Sequence, residues 1–352
     1  MIVVPRPSSW LRNLFRYKGT ALRRIWRRLL FTVGVSVIIT WIDLGPPIPV
    51  PGTDWSLHYQ FHEDLTIVPF SLVGVALGIF LGFRNNTSYD RFWEGRKLWG
   101  RMVNVSRTFT RQILTLIGPI PHQFDGRLTD GHRNPYRGEL PSDEQRQDDP
   151  DVDELLHFHE EMVHRVAAYV HMFRMHLRDE DDLDSLYPLI EKDEIEALRN
   201  ESNRPVALLQ TLGDRIREAW LRGWIHSQHV PVLEGSLTEM TGVQGGCERI
   251  KATPIPFSYT ALIHRIVAVY CYALPFGILN ETKEFTPVVV LIIAYAFFGL
   301  DAVGDEIEDP FGKDDNDLPL SQLSTMIEVN VRQRIGDEDL PALKKPVNEV
   351  LS

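Results

Sequence analysis

The apolar stretch from Thr66 to Phe83 constrains the fold more than any other part of the chain. It contains no charged side chain. A helix that is apolar on every side lies either deep in a core or in lipid, and a bilayer core needs about 20 apolar residues in helical form. The stretch therefore predicts a membrane-spanning helix, and the alternative is a buried helix of a soluble protein.

Three further apolar blocks accompany this stretch. They are Leu29–Leu44, Pro256–Leu279 and Thr286–Leu300. The first and the last are short enough to be core helices, so the soluble alternative stays open for them. Charged residues make up 24% of the chain, but they are concentrated between and beyond the blocks. We expect four membrane spans, connected by polar segments.

The charges beside the blocks predict the orientation of the spans. Every charged residue from Arg6 to Arg28 is basic, the connection 45–65 has no Lys or Arg, and basic residues recur directly after Phe83. Positively charged residues are enriched on the cytoplasmic side of a membrane. We therefore expect a multi-pass protein of the plasma membrane with both termini in the cytoplasm. The two cysteines are too few for a disulfide framework and indicate a reducing compartment.

The long connection between the second and third spans is predicted to be helical, and strand signals are scarce throughout. The expected helices are 87–117, 152–178, 205–225 and 231–250, and the Gly-, Pro- and Asp-rich segment 121–151 is expected to be an exposed loop. The fold class is therefore all-α. The expected segments are a basic arm at 1–28, spans at 29–83, a cytoplasmic helical region at 84–250, spans at 251–303 and an acidic end at 304–352.

Two rows of residues lie on roughly opposite faces of the second span. One row is a stripe of glycines, and the other is apolar. The glycines are Gly74, Gly78 and Gly82, and the apolar row is Val68, Leu72, Ala76 and Phe80. A small-residue stripe lets helices approach closely in lipid, so the apolar row faces lipid, a third helix or a lumen. A lumen requires an oligomer, in which an apolar constriction can gate ions by dewetting.

Two polar segments offer candidate metal sites. Four aspartates in the turn 309–319 could hold Ca²⁺, although the turn lacks the spacing of an EF-hand, and a solvated acidic turn is the alternative. The face carrying His157, Glu160, Glu161 and His164 could bind zinc, but it does not form an HExxH motif. A solvated helix face is the alternative there, and the pattern does not decide its role.

Two ionisable residues, His264 and Arg265, lie inside the third span. Such residues usually face water or a partner and indicate a functional position, although Arg265 could also extend to the membrane surface. The sequence contains no nucleophile elbow, phosphate-binding loop, dinucleotide motif or cysteine-rich metal motif. Nothing in it therefore favours an enzyme.

Three segments of the chain together resemble the bestrophin family, in its bacterial branch. They read GIFLGFRNNTSYDRFWEGRKLWG at 78–100, GGCERIKATPIPFSYTALIHR at 245–265 and FFGLDAVGDEIEDPFGKDDNDLPL at 297–320. Their order and spacing also fit the family, so the resemblance covers roughly residues 10–340. It implies a homopentameric ion channel whose second spans surround one axis. Its partners would be further copies of itself, inorganic ions and membrane lipid, with no nucleic acid.

The resemblance also assigns roles to particular residues. Leu72, Ala76 and Phe80 would form an apolar neck, with Val68 at its outer end. A second narrowing, the cytoplasmic aperture, would lie near the start of a helix in the segment 203–209, and Arg204 is the candidate there.

Calcium and ion selectivity are the points at which the resemblance is less complete. Animal bestrophins hold Ca²⁺ after the PFG sequence, and Asp314 and Asp317 match the liganding side chains. Lys313 and Asn316 replace acids of the animal pattern and lower the local negative charge. The resemblance favours an anion channel that conducts chloride. The alternatives are a monovalent cation channel for sodium, and a non-conducting membrane-anchored protein that binds a partner.

Overall fold

The computed structural model describes residues 2–3, 19–45, 48–49, 56–57, 66–118, 150–343 and 350–351. Within these residues the chain is almost entirely helical, which confirms the all-α expectation. The loop expected at 121–151 lies outside the described residues except for its last two positions. Most of the basic arm also lies outside them.

The helices follow one another along the whole described chain. They are α1 Leu22–Leu44, α2 Ile67–Leu116, α3 Pro150–Arg178, α4 Lys192–Arg199, α5 Arg204–Leu221, α6 Val230–Ala252, α7 Phe257–Thr282, α8 Thr286–Glu308 and α9 Leu320–Arg332. Short 3₁₀ helices occupy Leu183–Leu186 and Lys283–Phe285. Two-residue strands occur at β1 Ile2–Val3, β2 Ile48–Pro49, β3 Ser56–Leu57 and β4 Val350–Leu351, and β2 pairs antiparallel with β3.

The predicted helices are found, with two differences. The second span and the helix expected at 87–117 form one continuous helix, α2, because no Gly or Pro interrupts the polar sequence between them. Helix α5 ends at Leu221, where Gly223 takes a positive φ of 77° and terminates the helix. The short helix α4 and the helix α9 were not predicted.

The described chain forms two compact units. The first comprises residues 1–95, 250–318 and 348–350, and the second comprises 96–249, 319–347 and 351–352. In the first unit α1 packs against α7 and α8, and α7 packs against α8. Its core is apolar and includes Ile25, Leu29, Leu77, Leu81, Val267, Cys271, Val290 and Phe298. This unit contains all four of the predicted apolar blocks.

The second unit is a helical bundle built on α3, which packs against α5 and α9. Aromatic stacking marks its centre, where the ring centroids of Trp99 and Phe173 lie 5.3 Å apart. The hydroxyl of Tyr169 lies 3.2 Å from Gln244 Oε1, so this buried polar group is satisfied. The bundle is an ordinary soluble-type core with charged residues at its surface.

Among the residues that the structure describes, three helical stretches are long and apolar enough to cross a membrane. They are Leu22–Leu44, Ile67–Leu116 and Phe257–Glu308. The third is 52 residues long and consists of α7 and α8, which are joined by the 3₁₀ turn Lys283–Phe285 and pack against each other. The candidate spans therefore coincide with the predicted apolar blocks.

Candidate functional site

The predicted neck residues lie on an exposed face of α2. Val68, Leu72 and Phe80 have 69%, 74% and 55% of their surface exposed, and Ala76 is exposed as well. None of the four belongs to the core of the first unit. The structure thus presents a continuous apolar surface along three turns of the helix.

The buried face of the same helix carries both apolar and charged residues. Leu77 and Leu81 lie in the core of the first unit, and the next buried positions along this face are Arg84 and Ser88. The spacing of three to four residues places them on one side of the helix. Along the buried face, apolar residues are therefore followed by a charged one, Arg84, directly after the predicted neck.

The predicted glycine stripe is only partly engaged within the chain. A Cβ atom at Gly74 would lie 2.5 Å from the hydroxyl oxygen of Tyr270, so glycine permits the close approach of α2 and α7 there. A Cβ atom at Gly78 or Gly82 would meet no atom within 4 Å. Packing of these two glycines against a neighbouring helix stays a prediction.

Arg84 is the centre of a buried ionic cluster in the first unit. Its side chain is fully buried, and one guanidinium nitrogen donates to Oδ1 of Asp301 at 2.8 Å. The other terminal nitrogen donates to Asp305. Nδ1 of His264 lies 2.7 Å from Oδ2 of Asp301, and Arg28 lies 3.7 Å from the same oxygen. Each of α1, α2, α7 and α8 thus contributes a charged or titratable group.

The two ionisable residues of the third span, His264 and Arg265, have different surroundings. His264 has partners inside the chain, whereas Arg265 is exposed and lines an apolar cavity of about 390 Å³ between α2 and α7. The ligand atoms of His264, Asp301 and Asp305 lie within 4.8 Å of one another, as metal ligands would. Because the Arg84 guanidinium already pairs with both carboxylates, the cluster is balanced without a metal ion.

A second arginine of α2 caps the ends of two other helices. The guanidinium of Arg91 donates to the backbone carbonyls of Ile250, Thr253 and Glu308, at 2.7, 2.5 and 3.1 Å. These carbonyls belong to the C-terminal ends of α6 and α8, where backbone acceptors lack helical partners. Arg91 was not singled out from the sequence, because its acceptors lie about 160 and 217 residues away in the chain.

Arg204, the candidate for the aperture, lies where it was expected, at the first residue of α5. Asn203 precedes it and accepts a hydrogen bond from the backbone N–H of Val206, which caps the helix. The guanidinium of Arg204 lies 2.5 Å from Asp181, so an acid neutralises its charge. Val206, in the same turn, is apolar and 45% exposed, and a narrowing of the pore at this turn stays a prediction.

The acidic turn after α8 is folded around Asp317. This side chain is 2% exposed, and its carboxylate accepts a hydrogen bond from the N–H of Asp314 at 2.6 Å. Burial raises the pKa of Asp317 to about 7, and the hydrogen bond from Asp314 opposes this only in part. A Cβ at Gly312 would lie 2.6 Å from the same carboxylate, so the backbone of the turn wraps closely around it.

Calcium binding by this turn, which would need six to eight oxygen ligands, stays a prediction. The carboxylate of Asp314 pairs with Arg24 at 2.5 Å, and that of Asp317 accepts the N–H of Asp314. The amide nitrogen of Asn316 donates to Glu306 at 2.8 Å and to the carbonyl of Gly19. Among the described residues, no three ligand atoms of Asp, Glu, His or Cys side chains lie within 4.8 Å of one another in this turn.

The face considered for zinc is occupied by ion pairs. Glu161 pairs with Arg165 at 2.8 Å and also with Arg215, and Nε2 of His164 lies 3.1 Å from Asp337. His159, which follows His157 by two residues, is buried and bonded to the carbonyl of Ile117, and burial lowers its pKa. The described residues of this face therefore form part of a protein-internal network rather than a converging metal site.

Comparison with known proteins identifies the family. Residues 1–333 match the sequence model described as Bacterial/Fungal Bestrophin protein. The chain is 36% identical over 344 residues to the voltage-dependent anion channel-forming protein RSc3414 of Ralstonia nicotianae, covering 96% of each chain. It is 30% identical over 346 residues to the voltage-dependent anion channel-forming protein YneE of Escherichia coli O157:H7, covering 98% of each.

The fold agrees with this assignment. The structure is similar to the crystal structure of a bacterial bestrophin homologue from Klebsiella pneumoniae, with a TM-score of 0.70 and 30% sequence identity, over 89% of this chain and 99% of that one. The chain belongs to the bestrophin family, in its bacterial and fungal branch. The resemblance drawn from the three sequence segments is confirmed, and the relatives are named as channel-forming proteins rather than enzymes.

Proposed function

We propose that this protein is a membrane channel for anions, with a neck lined by the exposed apolar row of α2. One observation carries the proposal: Leu72, Ala76 and Phe80 are exposed, while the same helix packs into the core through Leu77 and Leu81 on another face. The names of the related voltage-dependent anion channel-forming proteins support the choice of anions.

The neck requires several copies of the chain, because one helix cannot surround a lumen. We take the homopentamer from the family resemblance. Five copies of Phe80 around an axis would leave a narrow apolar constriction in which water cannot replace its lost hydrogen bonds. An ion must shed solvent to cross such a constriction, so the neck acts as a gate.

Four spans per chain follow from the helices of the first unit. The 52-residue stretch of α7 and α8 is far longer than the roughly 20 residues needed for one crossing, and its two helices pack against each other. We therefore propose two crossings, with both termini in the cytoplasm. A cysteine introduced at Asn280 should react with an impermeant reagent applied to intact cells. Cys247 and Cys271 are buried and should give little background, and protection of the new cysteine would contradict this topology.

The choice between anions and cations is not made by the neck, since apolar side chains carry no charge to discriminate. Chloride conduction is the proposal, and sodium conduction and a non-conducting anchor are the alternatives. Purified protein in planar bilayers under a NaCl gradient separates the three. We expect single-channel currents that reverse near the chloride equilibrium potential. Reversal near the sodium equilibrium potential would indicate a cation channel, and a silent bilayer would remove the channel proposal.

A further inference from the structure

The apolar cavity between α2 and α7 is a groove with a single charged residue on its wall. It measures about 390 Å³, and its apolar walls include Phe70 and Val73 of α2 and Val269 and Ala273 of α7. Arg265 of α7 is the only charged residue among the described ones that line it. Both helices contribute to the groove from within the first unit, so the groove is internal to one compact body.

Two close contacts between the helices fix the direction of the groove. Gly74 of α2 lies against Tyr270, and the ring of Phe70 lies so close to Gly277 of α7 that no Cβ atom fits there. The helices are therefore antiparallel along the groove. Its apolar wall extends about 12 Å along α7 beyond Arg265, so the charge lies at the end nearer to the start of α7. With both termini in the cytoplasm, that end is the cytoplasmic one.

The charge of Arg265 is not balanced within the described part of the chain. Its side chain is exposed, and it makes no ion pair or hydrogen bond with another described residue. In contrast, the neighbouring His264 lies 2.7 Å from Asp301, which also pairs with Arg84. A charge within a membrane span is unfavourable unless an anion or water lies near it. Helical side chains lean toward the start of their helix, so the guanidinium of Arg265 extends toward the cytoplasmic surface.

The spans of a second copy of the chain do not supply the missing anion. The four apolar blocks together contain one acidic residue, Asp43. Its side chain is only 3% exposed, so it does not reach a neighbouring copy. A copy packed against the groove would cover the apolar walls but would leave Arg265 without a counter-charge at this depth. The anion therefore has to come from the membrane itself.

We propose that the groove binds an anionic phospholipid of the cytoplasmic leaflet, with its phosphate at Arg265 and one acyl chain along Val269 and Ala273. A guanidinium binds phosphate oxygens through charge-assisted hydrogen bonds, and the apolar walls remove methylene groups from water. The inference rests on the membrane placement of α2 and α7 proposed above, which the labelling at Asn280 tests separately. It does not depend on which ion the protein conducts.

The test is native mass spectrometry of the purified full chain, which counts the lipids that remain bound after removal of detergent. The protein is incubated with palmitoyl-oleoyl-phosphatidylglycerol or with the phosphatidylcholine that has the same acyl chains. The wild type should retain more phosphatidylglycerol than phosphatidylcholine, because the choline group offsets the phosphate charge. Arg265→Gln should retain several-fold less phosphatidylglycerol and lose the preference. Arg265→Lys keeps the positive charge and should keep the preference.

Arg27→Gln is the matched control for the charge. Arg27 is an exposed arginine near the start of α1, stacks over Trp26 with its guanidinium carbon 5.3 Å from the ring centroid, and does not line the groove. It should retain both lipids as the wild type does. Equal losses of phosphatidylglycerol in Arg265→Gln and Arg27→Gln would show only a general attraction to basic residues, and the proposal would be wrong. A wild type without a preference for phosphatidylglycerol would also overturn it.

A second pair of variants tests the apolar part of the groove. Val269→Trp places a large ring in the groove and should lower the retention of both lipids several-fold. Ile292→Trp is its control on α8, because Ile292 is 64% exposed, close to the 67% of Val269, and does not line the groove. This control should retain lipid as the wild type does. Equal retention in the two tryptophan variants would contradict the proposal, and is the result expected if a second copy of the chain fills the groove.

Discussion

The two faces of α2 within the first unit reverse the usual distribution of polar and apolar residues. On the outside lie Leu72 and Phe80, both more than half exposed. After the buried Leu81 comes Arg84, which is fully buried and pairs with the equally buried Asp301 and with the partly exposed Asp305. In water an exposed apolar row would be costly and a surface arginine would be favourable. The exposed apolar row therefore indicates that this part of the helix is not in contact with bulk water.

The reversal also explains why charge is concentrated around Arg84. In a low-dielectric setting a charged group needs a close partner of opposite sign, because desolvation costs several kcal/mol per ion. Asp301 is as deeply buried as Arg84, and His264 adds a second contact to it. The apolar row carries no charge that needs a partner, whereas the buried charges must be satisfied within the chain.

The largest effect is expected from breaking the charged face. Arg84→Ala should lower the free energy of unfolding by about 3–5 kcal/mol, because Asp301 is left buried without its partner. Denaturant titration in detergent micelles measures this. The matched control is Arg107→Ala on the same helix, an exposed arginine, which should change stability by less than about 0.5 kcal/mol. A similar loss in both variants would mean that Arg84 contributes no more to the free energy of unfolding than an exposed arginine does.

A pair of leucines compares the two faces directly. Leu81 is fully buried, whereas Leu72 is 74% exposed. Leu81→Ala should cost about 2–5 kcal/mol, because it removes core contacts and leaves a cavity. Leu72→Ala should cost less than about 1 kcal/mol. The same denaturant titration applies to both. Equal losses would indicate that the outer face is packed as tightly as the inner one, by lipid or by another chain.

The apolar part of α2 and its two-sided character could be predicted from the sequence, because helical periodicity is a local property. The absence of charge from Thr66 to Phe83 indicates the span, and four-residue spacing separates the glycine stripe from the apolar row. The spacing could not show that only Gly74 meets a neighbour within the chain. That depends on the position of Tyr270, which lies almost 200 residues further along.

The ionic contacts could not be predicted in the same way. Arg84 and Asp301 are separated by 217 residues, and Arg24 and Asp314 by 290. Local patterns carry no information on such pairings. His264 was identified as a candidate because an ionisable residue within a span is unusual, but its partner was not. For the acidic turn, the family resemblance offered Asp314 and Asp317 as calcium ligands, and no local pattern indicated that Arg24 of α1 pairs with Asp314.

The central claim is that Phe80 faces a lumen. The direct test is single-channel recording of Phe80→Ala in planar bilayers beside Phe285→Ala, which removes an exposed ring from the turn between α7 and α8. Removing the constricting ring should widen and hydrate the neck. We expect Phe80→Ala to raise open probability or conductance several-fold with little change in anion preference, and Phe285→Ala to match the wild type. Unchanged currents in Phe80→Ala would contradict the assignment of Phe80, and with it the apolar row as the neck.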